Sequence, residues 1–313
     1  MTPGTRTEQY ALVTGGTDGI GKEIARGLAM SGVRVLIVGR DLAKGDRAQR
    51  ELRDSSSNRN VEFIPADLSL VCEVHRLADE VSRRFPALHY LVHSAGLVRG
   101  HRILTAEGIE SNFAINYLSR FALTTRSLPL LESAGSPGRA ARIVIIGGAA
   151  TQGTIFFNDV NLTSNFGVIR MLGQVCRAND VFTVELARRL SSNGQPRVTV
   201  TNLKIGVVPT NTRRRPDFPR FMKVLAPLLD PFVAISLREA ALPGLRLLRD
   251  EQFEGITGAL FLMIRKFRRI EPAIDVADPR IGQRLWDLSE LKINGTRLLA
   301  HPSAAREQTP QLA

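Results

Sequence analysis

The sequence predicts an α/β protein: one doubly wound parallel sheet with helices on both faces, in three layers α/β/α. Three observations carry this. A glycine-rich turn joins the short apolar run Ala11-Leu12-Val13 to a stretch of helical periodicity. Short apolar runs then alternate with amphipathic stretches as far as Leu203, the pattern of parallel strands linked by right-handed helical crossovers. No internal repeat or linker interrupts the 313 residues, so residues 1–294 read as a single domain.

Taken in order, Ala11-Leu12-Val13 is too short for a helix and suits a buried parallel strand. Gly15, Gly16, Gly19 and Gly21 follow, and the predicted helix from Gly19 carries Ile20, Ile24, Leu28 and Ala29 on one face. Ser31-Gly32 ends it, and Val33 to Val38 reads as a second strand. Asp41 suits the cap of a helix over Leu42 to Arg53, and Ser55-Ser56-Ser57-Asn58 reads as a loop. A third strand is expected at Val61 to Ala66, then a helix over Leu70 to Phe85 and a strand over Leu88 to His93. A long helix is expected from Ala106 to Leu131, a fifth strand over Arg142 to Ile146, and an irregular loop from Thr151 to Gly167. The last units are a helix from Ile169 to Leu190, a sixth strand over Val198 to Leu203 and a final strand over Ala259 to Met263. Residues 211–255 read as lid or substrate helices outside the repeat, and residues 295–313 as a mobile tail.

Composition narrows the function. Hydrophobic content is 43%, and no run is long and apolar enough for a membrane span. The N-terminus MTPGTRTEQY has no apolar core of a secretory signal, and two cysteines make no disulfide framework or metal site. A cytoplasmic, reducing setting is the expectation, with no metal. The net charge of +12 comes from arginine, because only six lysines occur. Its arginines are spread over many segments, without an aromatic-interleaved basic stripe, so nucleic acid is not an expected partner.

The glycine turn carries the first chemical signal. Backbone N–H groups of such a turn approach an anion closely, and the following helix N-terminus adds a favourable dipole. The spacing Thr14-Gly15-x-x-x-Gly19-x-Gly21, Asp67-Leu68 after the third strand, Ser94-Ala95-Gly96 after the fourth and Asn116 in FAINYLSRF occur in one order. In that order they resemble the short-chain dehydrogenase/reductase family, a Rossmann-like fold. The resemblance spans about residues 8 to 265. It is nearest to the retinol-dehydrogenase-like and protochlorophyllide-reductase-like branch, through FFNDVNL and GQVCRANDVFTVELARRL.

The resemblance implies a nicotinamide cofactor held by Gly15, Thr17, Asp18, Gly19, Ile20, Gly21, Asp67, Leu68, Ser94, Ala95, Gly96 and Val208. Arg40, where an acidic residue would accept from the ribose hydroxyls of NAD, suits the 2′-phosphate of NADP instead, so NADP(H) is expected ahead of NAD(H). It also implies that the helices Asn112–Leu131 and Ile169–Leu190 pair between subunits of a homodimer.

The family's reaction couples hydride transfer to proton transfer by a tyrosine, with a lysine one turn later lowering that tyrosine's pKa. A serine holds the substrate oxygen, and an asparagine helps to hold the lysine. In the branch this chain resembles, the helix opens Tyr-Gly-x-Ser-Lys-x-Ala-Asn. Here it reads Leu172-Gly173-Gln174-Val175-Cys176-Arg177-Ala178-Asn179. Leu172 therefore takes the tyrosine position, Cys176 the lysine position, and Gly148 lies in the serine region. No shift recovers the pair, because tyrosine occurs only at 10, 90 and 117 and no lysine lies between Lys44 and Lys204. Asn116 is the retained position.

Among substitutes, Cys176 reads as a packed thiol, Lys204 at the end of the sixth strand as solvated, and Tyr117 as turned away from Asn116. Asp180, four residues past Cys176, reads either as a polar pocket group or as helix surface. Ser94 offers a hydroxyl near the ribose. Three functions follow: redox work without the usual acid on a hydrophobic small molecule, a catalytically silent cofactor-binding or partner subunit, or a non-redox isomerase or cyclase. The apolar segment FPRFMKVLAPLLDPFVAI, with Arg220 and Lys223, suits either a lid over a lipophilic ligand or peripheral contact with a membrane surface, and Thr151–Gly167 suits the other half of a lid.

Overall fold

The computed structural model describes residues 8–191, 196–206, 208, 216–219 and 235–300. Eight strands form one sheet in the order β3-β2-β1-β4-β5-β6-β7-β8. They are β1 Tyr10–Thr14, β2 Arg34–Gly39, β3 Val61–Pro65, β4 Tyr90–His93, β5 Ala141–Gly148, β6 Val198–Ile205, β7 Ala259–Met263 and β8 Phe267–Ile270. All neighbours run parallel except β8, which returns antiparallel along β7. The expected seven strands are present, and β8 is an addition: its four residues put exposed Arg268 and Arg269 side by side between half-buried Phe267 and Ile270, with no period-two alternation to read as a strand.

The strand order reverses between β1 and β4, both of which pair in register at Ala11 to Thr14. That reversal opens a crevice at the carboxyl ends of the strands. On one face lie α1 Gly19–Met30 and α2 Leu42–Ser56, joined by α7 Leu237–Arg249. On the other lie α3 Val71–Arg84, α4 Ser111–Phe113, a π turn Ala114–Leu118, α5 Ser119–Ala134, α6 Val168–Leu190, α8 Ile274–Ala277 and α9 Pro279–Ala300. Each layer closes its own apolar cluster, the first around Ile24, Leu28 and Ile37 and the second around Phe121, Phe182 and Leu285. Burying each such side chain contributes about 1.5–3 kcal/mol.

Three expectations need correction. α7 falls within 211–255, yet it is not a lid. Its Ala240, Ala241 and Leu248 are buried, with Leu245 beside Gly27 and Gly244 beside Ile24 of α1. The rest of that span lies largely outside the described residues. The tail does not begin at Gly295, since α9 continues to Ala300. The helix expected from Ala106 starts only at Ser111, where Glu110 accepts from the N–H groups of Asn112 and Phe113.

α9 also bears on the expected pairing of helices between subunits. It lies over α3 and α6 of its own chain: Trp286 packs edge-on to Phe121 with ring centroids 4.9 Å apart, and Arg189 stacks 3.9 Å over the same indole. Tyr117 reaches α9 as well, its hydroxyl 2.7 Å from Ser289 Oγ. One face of the two helices expected to pair is thus covered by a helix of the same chain.

Candidate active site

The glycine turn between β1 and α1 sits in the crevice. Gly15 has φ +67°, and a Cβ there would lie 2.7 Å from the backbone nitrogen of Ala95. A Cβ on Gly21 would lie 2.5 Å from the carbonyl oxygen of Gly15, so the helix seats directly on its own turn. Asp18 caps the helix through the N–H of Gly19 at 2.8 Å, and its other oxygen meets Lys44 at 2.6 Å. Thr14 Oγ1 accepts from the N–H groups of Ser94 and Ala95 at 3.2 and 3.3 Å, which ties the loop after β4 to β1.

These elements enclose a cavity of about 500 Å³. It is lined by Gly15, Thr17, Asp18, Gly19, Ile20, Arg40, Asp67, Leu68, Ser94, Ala95 and Gly96, all expected from sequence, together with Asp41, Lys44, Ile115 and Ile146 among others. Gly21 and Val208 are not at its wall: Gly21 packs under the turn, and Val208 lies in the apolar cluster of the α1 layer. Arg40 is exposed at the rim, and Lys44 from the first turn of α2, which single-position reading missed, also lines the cavity while paired with Asp18. Asp67 accepts from the N–H and hydroxyl of Ser69, which fixes the turn after β3. The residues fit a dinucleotide: a left-handed glycine admits close approach, an anion-binding helix end faces the opening, and the exposed cation Arg40 stands at the rim after β2.

A smaller cavity of about 110 Å³ adjoins it at Leu97. Its wall holds Asn116, Arg120, Gly148, Leu172, Cys176, Asn179, Asn202 and Lys204. The register expected for α6 thus puts Leu172 and Cys176 beside Gly148 and Asn116, and Cys176 Sγ lies 3.7 Å from the carbonyl oxygen of Gly148. The π turn leaves the carbonyl of Asn116 free of the helix, and it accepts from Asn179 Nδ2 at 2.9 Å. The Asn116 side chain is engaged by the loop after β4, donating to Leu97 O at 2.8 Å and accepting from Leu97 N at 3.1 Å.

Lys204 overturns its solvated reading. It is 1% exposed, and its ammonium donates to Asp180 Oδ2 at 2.6 Å, while Asn202 Nδ2 donates to Asp180 Oδ1 at 2.9 Å. Asp180 is accordingly buried and not helix surface, and it touches the two cavity residues Lys204 and Asn202 without lining the cavity itself. Burial pushes its carboxyl up, and the adjoining ammonium opposes this. The Cys176 thiol is likewise raised by burial. Arg120, which no sequence signal marked, is a buried guanidinium whose NH groups reach Asn179 Oδ1 and Ala95 O, both at 3.1 Å. Burial holds its pKa down at about 10. Arg120 Nε and Asn202 Oδ1 are buried without a hydrogen-bond partner among the described residues. The loop Thr151–Gly167 contributes no residue to either wall and is pinned to α6 through Gln174 and Arg177.

Residues 9–217 match the family described as short chain dehydrogenase. The mouse (Mus musculus) protein named polyprenol dehydrogenase is 30% identical over 279 residues, covering 89% of this chain and 82% of the relative. Mouse retinol dehydrogenase 12 is 31% identical over 281 residues, covering 90% and 85%. Among solved structures, the Pseudomonas aeruginosa RhlG/NADP active-site complex superposes with a TM-score of 0.65 at 25% identity, covering 84% of this chain and 98% of that one.

Proposed function

The chain belongs to the short-chain dehydrogenase/reductase family, and from that premise we propose an oxidoreductase that binds NADP(H) ahead of NAD(H) and acts on a hydrophobic small molecule with a rebuilt proton-transfer site. One contrast carries this reading: the large cavity keeps its glycine turn and the rim cation Arg40, whereas Leu172, Cys176 and Gly148 line the adjoining small one. A nicotinamide, when bound, supplies the hydride. Gly15 and the α1 N-terminus then hold the phosphates, Asp67 and Leu68 flank the base, and Ala95 and Gly96 admit the ribose. Arg40 would meet the 2′-phosphate. The apolar Leu97, Val98, Leu172 and Val175 favour a lipophilic substrate and exclude water. This agrees with relatives whose names specify retinol and polyprenol.

Fluorescence titration checks the cofactor. NADPH should bind more tightly than NADH by about 1–3 kcal/mol, the value of a charge-assisted hydrogen bond, and Arg40→Asp should reverse the order. Equal affinity of the wild type for both nucleotides would sink the preference. Turnover of simple ketones should be weak, since losing a positioned acid costs roughly 10²–10⁴-fold. Leu172→Tyr with Cys176→Lys and Gly148→Ser should raise it. Nucleotide binding with no turnover of any carbonyl would favour the catalytically silent subunit instead.

A further inference from the structure

The small cavity lacks a phenol at Leu172 and an ammonium at position 176, yet an ammonium reaches it from a different element. On the oxidoreductase reading above, we propose that Lys204, held by Asp180, is the catalytic group that binds the substrate oxygen and gives it a proton.

Sheet and helix periodicity bring the pair together. Asn202 and Lys204 are two apart on β6 and project to one face of the sheet. Asp180 lies one turn beyond Cys176 on α6, buried behind the cavity wall where it meets Lys204 and Asn202. Both carboxylate oxygens of Asp180 are engaged, one by Lys204 at 2.6 Å and one by Asn202 at 2.9 Å, so the carboxylate orients the ammonium. An ammonium carries three N–H donors. Asp180 is the acceptor it meets among the described residues, which leaves donors for a ligand in the cavity that Lys204 lines.

Two further observations point to an oxygen ligand there. Arg120 lines the same space, and its Nε donor is buried and unpartnered among the described residues. Arg120 meets no carboxylate among the described residues, so its guanidinium and the Lys204 ammonium against the Asp180 carboxylate give the described wall of the cavity a net positive charge. Such a cavity favours developing negative charge on a carbonyl oxygen. In carbonyl reduction the hydride brings both electrons to the carbon, and the Lys204 Nζ proton passes to the oxygen. The products are the alcohol, the oxidised nicotinamide and a neutral amine that regains its proton from solvent.

Decanal, decanol and decanoate serve as probes on the full chain. Without nucleotide, calorimetry should show decanoate, whose carboxylate imitates the oxyanion, binding at least tenfold tighter than decanol, and Lys204→Met should remove that preference. With NADPH, decanal reduction by Lys204→Arg should fall at least 100-fold while NADPH affinity holds, because a guanidinium keeps the charge but gives no proton. Asp180→Asn should lower decanal reduction at least tenfold while NADPH affinity holds, since the ammonium loses the carboxylate that orients it. Thermal melts confirm that each variant is folded. Wild-type rate and pH profile in Lys204→Arg, no preference for decanoate, or no decanal reduction by the NADPH-loaded wild type would each overturn the assignment. Failure to bind NADPH would instead remove the oxidoreductase reading, while the decanoate preference still reports on Lys204.

Discussion

His93 closes β4 with its ring 1% exposed and Nε2 2.8 Å from Thr124 Oγ1. Burial, aided by Arg120, holds its pKa down at about 3 against 6.5 in an open chain. The folded state therefore resists protonation that the unfolded chain accepts below pH 6.5. Stability is complete above that pH and is lost as pH falls toward 3, at about 1.4 kcal/mol per unit. Denaturant melts from pH 7 to 4 should show that slope, and His93→Gln should flatten it; an unchanged slope would place the acid sensitivity elsewhere. Lys204 and Asp180 obey a related rule. Lys204→Met leaves a buried carboxylate without its cation and should cost about 3–5 kcal/mol, whereas Lys204→Met with Asp180→Leu should recover most of it. Single-residue reading placed Lys204 in solvent because a strand-end lysine usually is; only the carboxylate from α6 makes burial tolerable.

At the scale of elements, the turn from β1 to α1 was legible because its requirement is local. Gly15 needs a positive φ and has Ala95 against it, and both constraints act within a few residues of the motif. Gly15→Ala should cost about 1–2 kcal/mol for the left-handed backbone alone and weaken NADPH binding at least tenfold by displacing the loop after β4. Calorimetry on the folded variant reads this, and unchanged affinity would separate the turn from the cofactor. The helix over residues 111–134 was less legible. Its π turn depends on Asn179 reaching across from α6 to the carbonyl of Asn116, which no periodicity encodes. Likewise the loop Thr151–Gly167 reads as a lid from its position, but Gln174 Nε2 holds the carbonyl of Val160 at 3.0 Å and Arg177 holds that of Gly153 at 3.0 Å.

Across the whole molecule, α9 is the element that closes the fold. Leu285 and Ser289 are each 1% exposed, and the aromatic group Phe121, Phe182 and Trp286 joins three helices. Leu285→Ala should therefore destabilise the whole domain by about 2–5 kcal/mol, measured as a loss of unfolding free energy with unchanged cooperativity. A change under 0.5 kcal/mol would mean that α9 is an accessory rather than part of the core. Many arginines are held in ion pairs, such as Arg76 with Glu73 and Arg188 with Glu185, which leave the net charge of +12 unchanged. No described helix is long and apolar enough to cross a membrane.

The sequence by itself determined the strand–helix alternation, the glycine turn, the cation Arg40 and the absence of tyrosine and lysine from α6. Each of these is a local property: a side-chain period, a glycine spacing or the identity of a residue at a fixed register. Tertiary structure alone decided that Lys204 is buried against Asp180, that Arg120 faces the small cavity and that α9 covers α5 and α6. Those outcomes depend on partners 24, 59 and more than 160 residues apart in the chain. A buried charge is acceptable only where such a partner or dipole arrives, and its arrival is a property of the closed sheet rather than of any segment.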